Sequence, residues 1–84
     1  MKIEYQKKFK TQYNKLPSKV QKKFKKRIAL FTINPRAREL NIHPLKGDFE
    51  GYFSMNITGD FRALFQTDGK YCYFAYIGTH SELY

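Results

Sequence analysis

The sequence has no tryptophan and a single cysteine, Cys72, so no disulfide can form within the chain. Cys72 lies in an apolar run, where a reduced and buried thiol is the ordinary state, and we expect a reducing compartment. No stretch approaches the roughly 20 apolar residues of a membrane-spanning helix, and residues 1–10 are too polar for a signal peptide. These absences predict a cytoplasmic protein.

Ligands for metals and motifs for cofactors are also scarce. The only two histidines, His43 and His80, lie far apart, and with one cysteine they do not reproduce the ligand spacing of a zinc site. No glycine-rich loop leads into a helix, and no serine or cysteine has the surroundings of a recognised nucleophile. We therefore expect neither a metal nor a cofactor.

Acidic residues are nearly absent from the first half of the chain. Up to Arg38 there are 13 lysines and arginines against one acid, Glu4, and the rest has three bases against six acids. The net charge of +9 thus comes from a first half that carries +12. Such a field attracts polyanions, namely nucleic acid, the ribosome or an acidic protein. A solvated, lysine-rich helical face would have the same composition.

Aromatic residues are abundant, with seven tyrosines and eight phenylalanines, and they supply the apolar area of one small core. We predict a single domain over residues 1–84 that begins with a short strand over residues 2–5. Two amphipathic helices follow, separated at Leu16-Pro17-Ser18 and ended by Asn34-Pro35. Their apolar positions recur every three or four residues, at Phe9, Tyr13 and Leu16, then at Val20, Phe24, Ile28 and Phe31. So short a link predicts an antiparallel helical hairpin.

Three further strands are predicted after a polar connection over residues 36–41 and an ordered loop over residues 43–47. They cover residues 52–57, 61–66 and 71–77, with a hairpin signal at Asp68-Gly69. The order β-α-α-β-β-β predicts an α+β fold in which the helical hairpin covers one face of an antiparallel sheet. The other face and its loops remain for function.

Ionisable residues gather beside these last strands. His43 precedes them, Asp60 and Arg62 open the middle strand with two-residue spacing, and His80 and Tyr84 follow the last strand. Metal-free RNA cleavage needs a base, an acid and a cation, which two histidines and an arginine can supply. Tyr84 can stack on a base or donate a hydrogen bond. Taken singly, loop histidines often serve structure, and an Asp-Arg pair is often a surface ion pair.

The chain resembles the RelE/ParE superfamily of toxins, and within it the YafQ-like mRNA interferases. The resemblance covers nearly the whole chain and rests on three segments: His43-Pro44-Leu45-Lys46-Gly47, Ile57-Thr58-Gly59-Asp60-Phe61-Arg62 and Gly78-Thr79-His80-Ser81-Glu82-Leu83-Tyr84. It implies the toxin of a type II toxin–antitoxin system that enters the ribosomal decoding site and cuts mRNA there. The products would be a 5′-hydroxyl and a 2′,3′-cyclic or 3′-phosphate, and a labile antitoxin would neutralise the toxin.

The resemblance also assigns residues. It matches His43, Asp60, His80 and Tyr84 to family positions, and the catalytic candidates are His80, His43, Asp60 and Arg62. The candidates for RNA binding are Tyr84, Lys46, Lys22, Lys23, Lys25 and Lys26. In two places the chain departs from the family: Asn56 replaces a histidine, and Tyr76 replaces an arginine before Gly-Thr-His. We infer that Arg62 supplies the missing cation, because other RelE-like toxins have an arginine after the acid and the aromatic residue.

A second class of function stays open, namely a non-catalytic ParE-like inhibitor of a topoisomerase or an inactive member that only binds its antitoxin. ParE-like chains generally lack the terminal histidine segment, so His80 favours the ribonuclease. The expected partners are mRNA on the ribosome and an acidic antitoxin segment that folds as it docks on the basic half.

Overall fold

A computed structural model describes residues 2–84. Its helices and strands are, in chain order, β1 (Lys2–Tyr5), α1 (Lys7–Asn14), α2 (Ser18–Ile33), β2 (His43–Pro44), β3 (Phe53–Asn56), β4 (Phe61–Thr67), β5 (Tyr71–Thr79) and α3 (His80–Leu83). Two short 3₁₀ turns, Arg38–Leu40 and Gly47–Phe49, flank β2. Among the helices of residues 2–84 we find no candidate for a membrane span.

The sheet has five strands in the order β1-β5-β4-β3-β2. The predicted α+β fold is confirmed, but the sheet is not wholly antiparallel, because β1 runs parallel to β5. The loop predicted over residues 43–47 is partly wrong: His43 and Pro44 pair with Ser54 and Phe53 as a fifth strand. Two residues give no periodicity, and the strand exists only because β3 offers it a free edge.

The core lies between the helical hairpin and one face of the sheet, around Phe74. This side chain is fully buried, and its ring centroid lies 5.0–6.2 Å from those of five other aromatic rings: Tyr5, Phe9, Phe24, Phe31 and Phe65. A register shift between Leu64 and Phe65 lets Phe74 and Ile77, three residues apart on β5, face the core together. The predicted apolar stripes of the two helices therefore meet one compact aromatic cluster.

The connection after α2, predicted to be polar, also contributes to the core. Leu40 is completely buried at the end of its 3₁₀ turn, and the next residue, Asn41, has a left-handed backbone with φ 44° and ψ 48°. Asparagine tolerates this conformation better than most residues. Two apolar residues in six, Ala37 and Leu40, establish no repeating period, so the sequence pattern did not reveal that this segment is anchored.

Helix α1 completes the edge of β5 where β1 ends. The pairing of β1 stops at Phe74, and the Ile77 backbone N–H donates instead to the Gln12 side-chain oxygen at 2.9 Å. The two helices are also tied together, because the Gln21 amide donates to the Tyr13 carbonyl at 2.8 Å. The last part of β5, which leads into the terminal helix, is thereby held in place.

Replacing the central ring should show how far stability depends on it. We expect Phe74→Ala to lower the free energy of unfolding by about 3–5 kcal/mol, because the change leaves a cavity among rings that cannot all move inward. Ile33→Ala, at a side chain that is 83% exposed, is the control and should stay within about 0.5 kcal/mol of the parent. Urea denaturation followed by circular dichroism measures both. Similar losses in the two variants would contradict this account of the core.

Candidate functional site

A cleft of about 370 Å³ opens where β2, β4 and α3 meet. We call it the histidine cleft; its lining residues are Asn41, His43, Leu45, Ser54, Arg62, His80 and Tyr84. The register explains their proximity, since His43 pairs with Ser54 on one strand and Arg62 with Gly78 on another. The structure therefore brings both histidines, Arg62 and Tyr84 together.

His43 is held in one orientation by the backbone. Its Nδ1 lies 2.9 Å from the Asn41 carbonyl oxygen. A carbonyl oxygen can only accept a hydrogen bond, so Nδ1 carries the proton in the neutral ring and Nε2 is left as an acceptor. Asn41 is the one non-glycine residue with positive φ among residues 2–84. Its role was not foreseen, because nothing in the sequence marks a carbonyl that fixes a histidine tautomer.

The sequence had suggested that His80 lies in a loop. In the structure it is the first residue of the helix α3. Thr79 caps the helix: its hydroxyl accepts from the Glu82 N–H at 3.2 Å, and its own N–H donates to the Glu82 carboxylate at 2.8 Å. Hydrogen bonding to the Glu82 carboxylate, first from the Thr79 backbone N–H and then from the Thr79 side chain, holds the pKa of Glu82 below its ordinary value. A Cβ at Gly78 would lie 3.2 Å from the Glu82 carboxylate, so glycine leaves room for this cap. Within the helix, the rings of His80 and Tyr84 are 4.7 Å apart.

Arg62 is held by the turn that precedes its strand. Its Nη1 donates to three backbone carbonyls, those of Thr58 at 3.0 Å, Gly59 at 3.2 Å and Phe61 at 3.1 Å. These are all the hydrogen bonds that the Arg62 side chain makes within residues 2–84, so Nε and Nη2 keep donors for a ligand. The guanidinium is therefore fixed on one side and open on the other.

Asp60 differs from the sequence-based interpretation. It lies in the turn before β4 and not on the strand, so it does not share a strand face with Arg62, and it does not line the histidine cleft. Its contact with the site is through the backbone, because its carbonyl accepts from the His80 N–H at 3.1 Å. No hydrogen bond joins its carboxylate to either histidine or to Arg62 in the described chain.

Ser54 forms a polar floor that sequence reasoning missed. The residue is 1% exposed, and its hydroxyl has no hydrogen-bond partner within residues 2–84. A buried hydroxyl without a partner costs about 1–3 kcal/mol. The serine stands in the strand predicted over residues 52–57, but its burial depends on its neighbours across the sheet, His43 and Leu64.

Aromatic rings partly cover the sheet face that we expected to be open. Phe49 returns over this face after the left-handed Gly47, and its ring contacts those of Tyr52, Tyr76 and Tyr84 at 5.6–5.9 Å. Lys8 of α1 places its Nζ 5.4 Å from the centre of the Tyr76 ring. The position where the family has an arginine thus lies in an aromatic cluster with a lysine beside it.

The candidate RNA-binding lysines lie outside the histidine cleft. Lys46 is exposed on the loop next to it, after Leu45. Lys22, Lys25 and Lys26 are exposed along α2, while Lys23 lines a separate cleft. No group of three or more His, Cys, Asp or Glu side chains among residues 2–84 is arranged to hold a metal ion.

Solved structures resemble this fold over nearly its whole length. YafQ from Escherichia coli strain BL21(DE3) is 23% identical, with 98% of this chain and 96% of that chain covered and a TM-score of 0.83. The E. coli DinJ–YafQ complex gives 26% identity, the same coverage and a TM-score of 0.78. A YoeB/ParE toxin from Agrobacterium tumefaciens is 24% identical, with 95% and 99% covered and a TM-score of 0.75. A search of curated protein sequences finds no match.

The fold is thus that of the RelE/ParE class of toxins, as the sequence motifs had indicated. A family model described as the bacterial toxin of a type II toxin–antitoxin system, YafQ, matches residues 1–84. The chain belongs to this YafQ family of type II toxins, and the predicted resemblance is confirmed.

The cap on α3 should control the order of the site. We expect Thr79→Val to weaken α3 by about 1 kcal/mol through loss of the hydroxyl acceptor, and the Glu82 amide to exchange with solvent faster. Thr79→Ser keeps the acceptor and serves as the control. In the parent protein the ionised Glu82 carboxylate stabilises α3 fully above pH 4.5, the ordinary glutamate pKa. This stabilisation is lost as the pH falls through the lowered pKa of Glu82. Hydrogen exchange by NMR measures both effects, and unchanged exchange in Thr79→Val would contradict them.

Proposed function

We propose that this toxin is a metal-independent, ribosome-dependent mRNA endoribonuclease that inhibits translation. The observation that carries the proposal is the convergence of His43, His80 and Arg62 on one cleft. Two imidazoles, which can act as base and acid, and one fixed cation are the set that cleavage by a 2′-hydroxyl needs. The lysine-rich first half of the chain suits a ribosomal target.

His43 acts as the base in this proposal. Its Nδ1 is committed to the Asn41 carbonyl, so Nε2 accepts the proton of the 2′-hydroxyl while the 2′-oxygen attacks the phosphorus. His80 acts as the acid and protonates the leaving 5′-oxygen. The free N–H groups of Arg62 donate to the phosphate oxygens, where negative charge accumulates in the transition state. The products are a 2′,3′-cyclic phosphate and a 5′-hydroxyl.

The other candidates position the reacting groups and the RNA. Asp60 holds the start of α3 through its carbonyl and so orients His80 without a carboxylate contact. Tyr84, half exposed at 49%, offers a ring for a base next to His80. Lys46 contributes charge beside the cleft, and Lys22, Lys23, Lys25 and Lys26 strengthen the association with RNA.

We also propose that an acidic antitoxin is the second partner. E. coli YafQ has been solved in complex with DinJ, and a Mycobacterium tuberculosis toxin with its antitoxin in RelBE2. The basic half of this chain would steer a disordered acidic segment, which orders as it binds.

Expression of the toxin alone should halt translation by cutting mRNA, and primer extension on cellular mRNA should reveal new 5′ ends inside coding regions. On programmed ribosomes, His80→Gln should lower the single-turnover cleavage rate by about 10²- to 10⁴-fold with ribosome binding retained, since general acids contribute on that scale. Ser81→Ala, at an exposed neighbour on α3, is the control.

Two results would favour the alternative suggested by Asn56 and Tyr76, a non-catalytic toxin. One is arrested growth with intact message, and the other is equal cleavage by the parent and the folded His80→Gln variant. The second result would leave the terminal helix a structural or antitoxin-binding role.

Co-expression with a small acidic protein encoded next to the toxin should restore growth and yield a complex that copurifies. Its association rate should fall as salt rises, because charge steers the encounter, and the dissociation rate should change much less. Stopped-flow kinetics at several ionic strengths measure both rates. If the neighbouring acidic protein neither rescues growth nor copurifies, the proposed partner is wrong.

A further inference from the structure

A second cleft, of about 650 Å³, lies between α2 and the turn that joins β3 to β4. We call it the α2 cleft. One wall carries Lys19, Lys23 and Arg27, and the opposite wall carries Asn56, Thr58 and Gly59. None of the residues that line the histidine cleft lines this one.

The three cations form a stripe along one flank of the helix. They are four residues apart, so they share a side of α2, and the stripe extends about 12 Å along the helix axis. Arg27 is half-buried, and its Nε donates to the Ile57 carbonyl at 3.4 Å, which directs the guanidinium towards the turn. The side chains of Lys19 and Lys23 are exposed and make no hydrogen bond or ion pair within residues 2–84. Two charges are therefore free to bind a ligand.

The turn between the strands separates the α2 cleft from the histidine cleft. Thr58 and Gly59 line the α2 cleft with their side chain and backbone, while their carbonyls accept from Arg62, which lines the histidine cleft. Asn56, which lines the α2 cleft, is paired in register with Arg62. An extended ligand that crosses this turn would therefore occupy both clefts.

We propose that the α2 cleft binds phosphates of the RNA backbone, next to the site where the histidine cleft binds the scissile phosphate. The inference rests on the proposed function and names a binding site that the function does not require. Lysines and arginines spaced along a polar groove follow the pattern by which proteins bind single strands through their backbone.

An acidic peptide fits a different part of the surface better. The groove between α1 and α2 is lined by apolar side chains, among them Phe9, Tyr13, Phe24 and Ile28, with Lys10 and Lys25 at its border. An amphipathic segment would bury its apolar side there. The α2 cleft offers amide, hydroxyl and charged groups, with Val20 as its one apolar side chain.

The α2 cleft also contains one carboxylate, Glu39. It opposes an anion and lowers the positive potential of the three cations. Removal of the Glu39 charge should therefore strengthen the binding of RNA, so this variant tests the proposal through an increase in affinity. We expect Glu39→Gln to bind RNA several-fold more tightly than the parent.

The decisive comparison uses two double variants of equal charge. Lys19→Gln/Lys23→Gln removes both free cations of the α2 cleft, and Lys2→Gln/Lys7→Gln removes two exposed cations that line neither cleft and are not among the candidates for RNA binding. The probe is an RNA oligonucleotide with 2′-deoxyribose at the cleavage site. Binding of each variant is measured to the free oligonucleotide, to ribosomes that carry it, and to ribosomes without message. The three affinities show whether the phosphates belong to mRNA or to ribosomal RNA.

Loss of two phosphate contacts should reduce the slope of log K against log salt by about 1.4, which is roughly a 25-fold loss of affinity at 0.1 M salt. The control pair should change affinity less than about threefold, with both variants folded as judged by thermal unfolding. Equal losses in the two pairs, or no loss in any of the three measurements, would overturn the proposal. Cleavage enters none of these readouts, so a parent protein that binds RNA without cutting it contradicts only the proposed nuclease.

Discussion

Backbone carbonyls of the turn between β3 and β4 hold the functional part of the molecule together. Arg62 donates to those of Thr58 and Gly59, and the first amide of α3 donates to that of Asp60. A turn that presents its carbonyls in this way binds a cation and a helix start at once. Arg62 and the helix α3, which carries His80, therefore both depend on one short segment. The same segment separates the histidine cleft from the α2 cleft.

The helical hairpin and the core were readable from the sequence because their signals are periodic. Phe9, Phe24 and Phe31 recur at helical spacing, and all three are buried. The same reasoning located the histidines, Arg62 and Tyr84 near one another, since it needed only the order of the strands. The sequence alone could predict the features that a hydrophobic period of two or 3.6 residues specifies.

The remaining features depend on contacts between distant segments. β2 exists through its pairing with β3, and Leu40 is buried because its 3₁₀ turn packs against β3. Asp60 was expected to act through its carboxylate, yet it contacts the site through its carbonyl, which every residue type has. Phe49 is one aromatic residue among 15, and its place over the sheet follows from the turn at Gly47. No local pattern encodes these relations.

Each of the two residues that depart from the family pattern, Asn56 and Tyr76, has a cationic residue as a neighbour. Tyr76 packs against Phe49 and Tyr52, with Lys8 above its ring, so the position is occupied by a stable aromatic cluster. Asn56 stands opposite Arg62 across the β3–β4 pair. A cation is thus retained close to both positions, on a neighbouring strand and on the first helix.

The parallel pairing of β1 with β5 sets the order in which the protein can acquire its structure during synthesis. Lys2 pairs with Tyr71, so the first strand has no partner until about 70 further residues have been translated. Contacts between such distant residues slow folding, because a long loop must close before they form. The residues from Gly78 to Tyr84 emerge later still. A nascent chain therefore lacks its completed sheet until β5 has been made, and it lacks His80 for longer still.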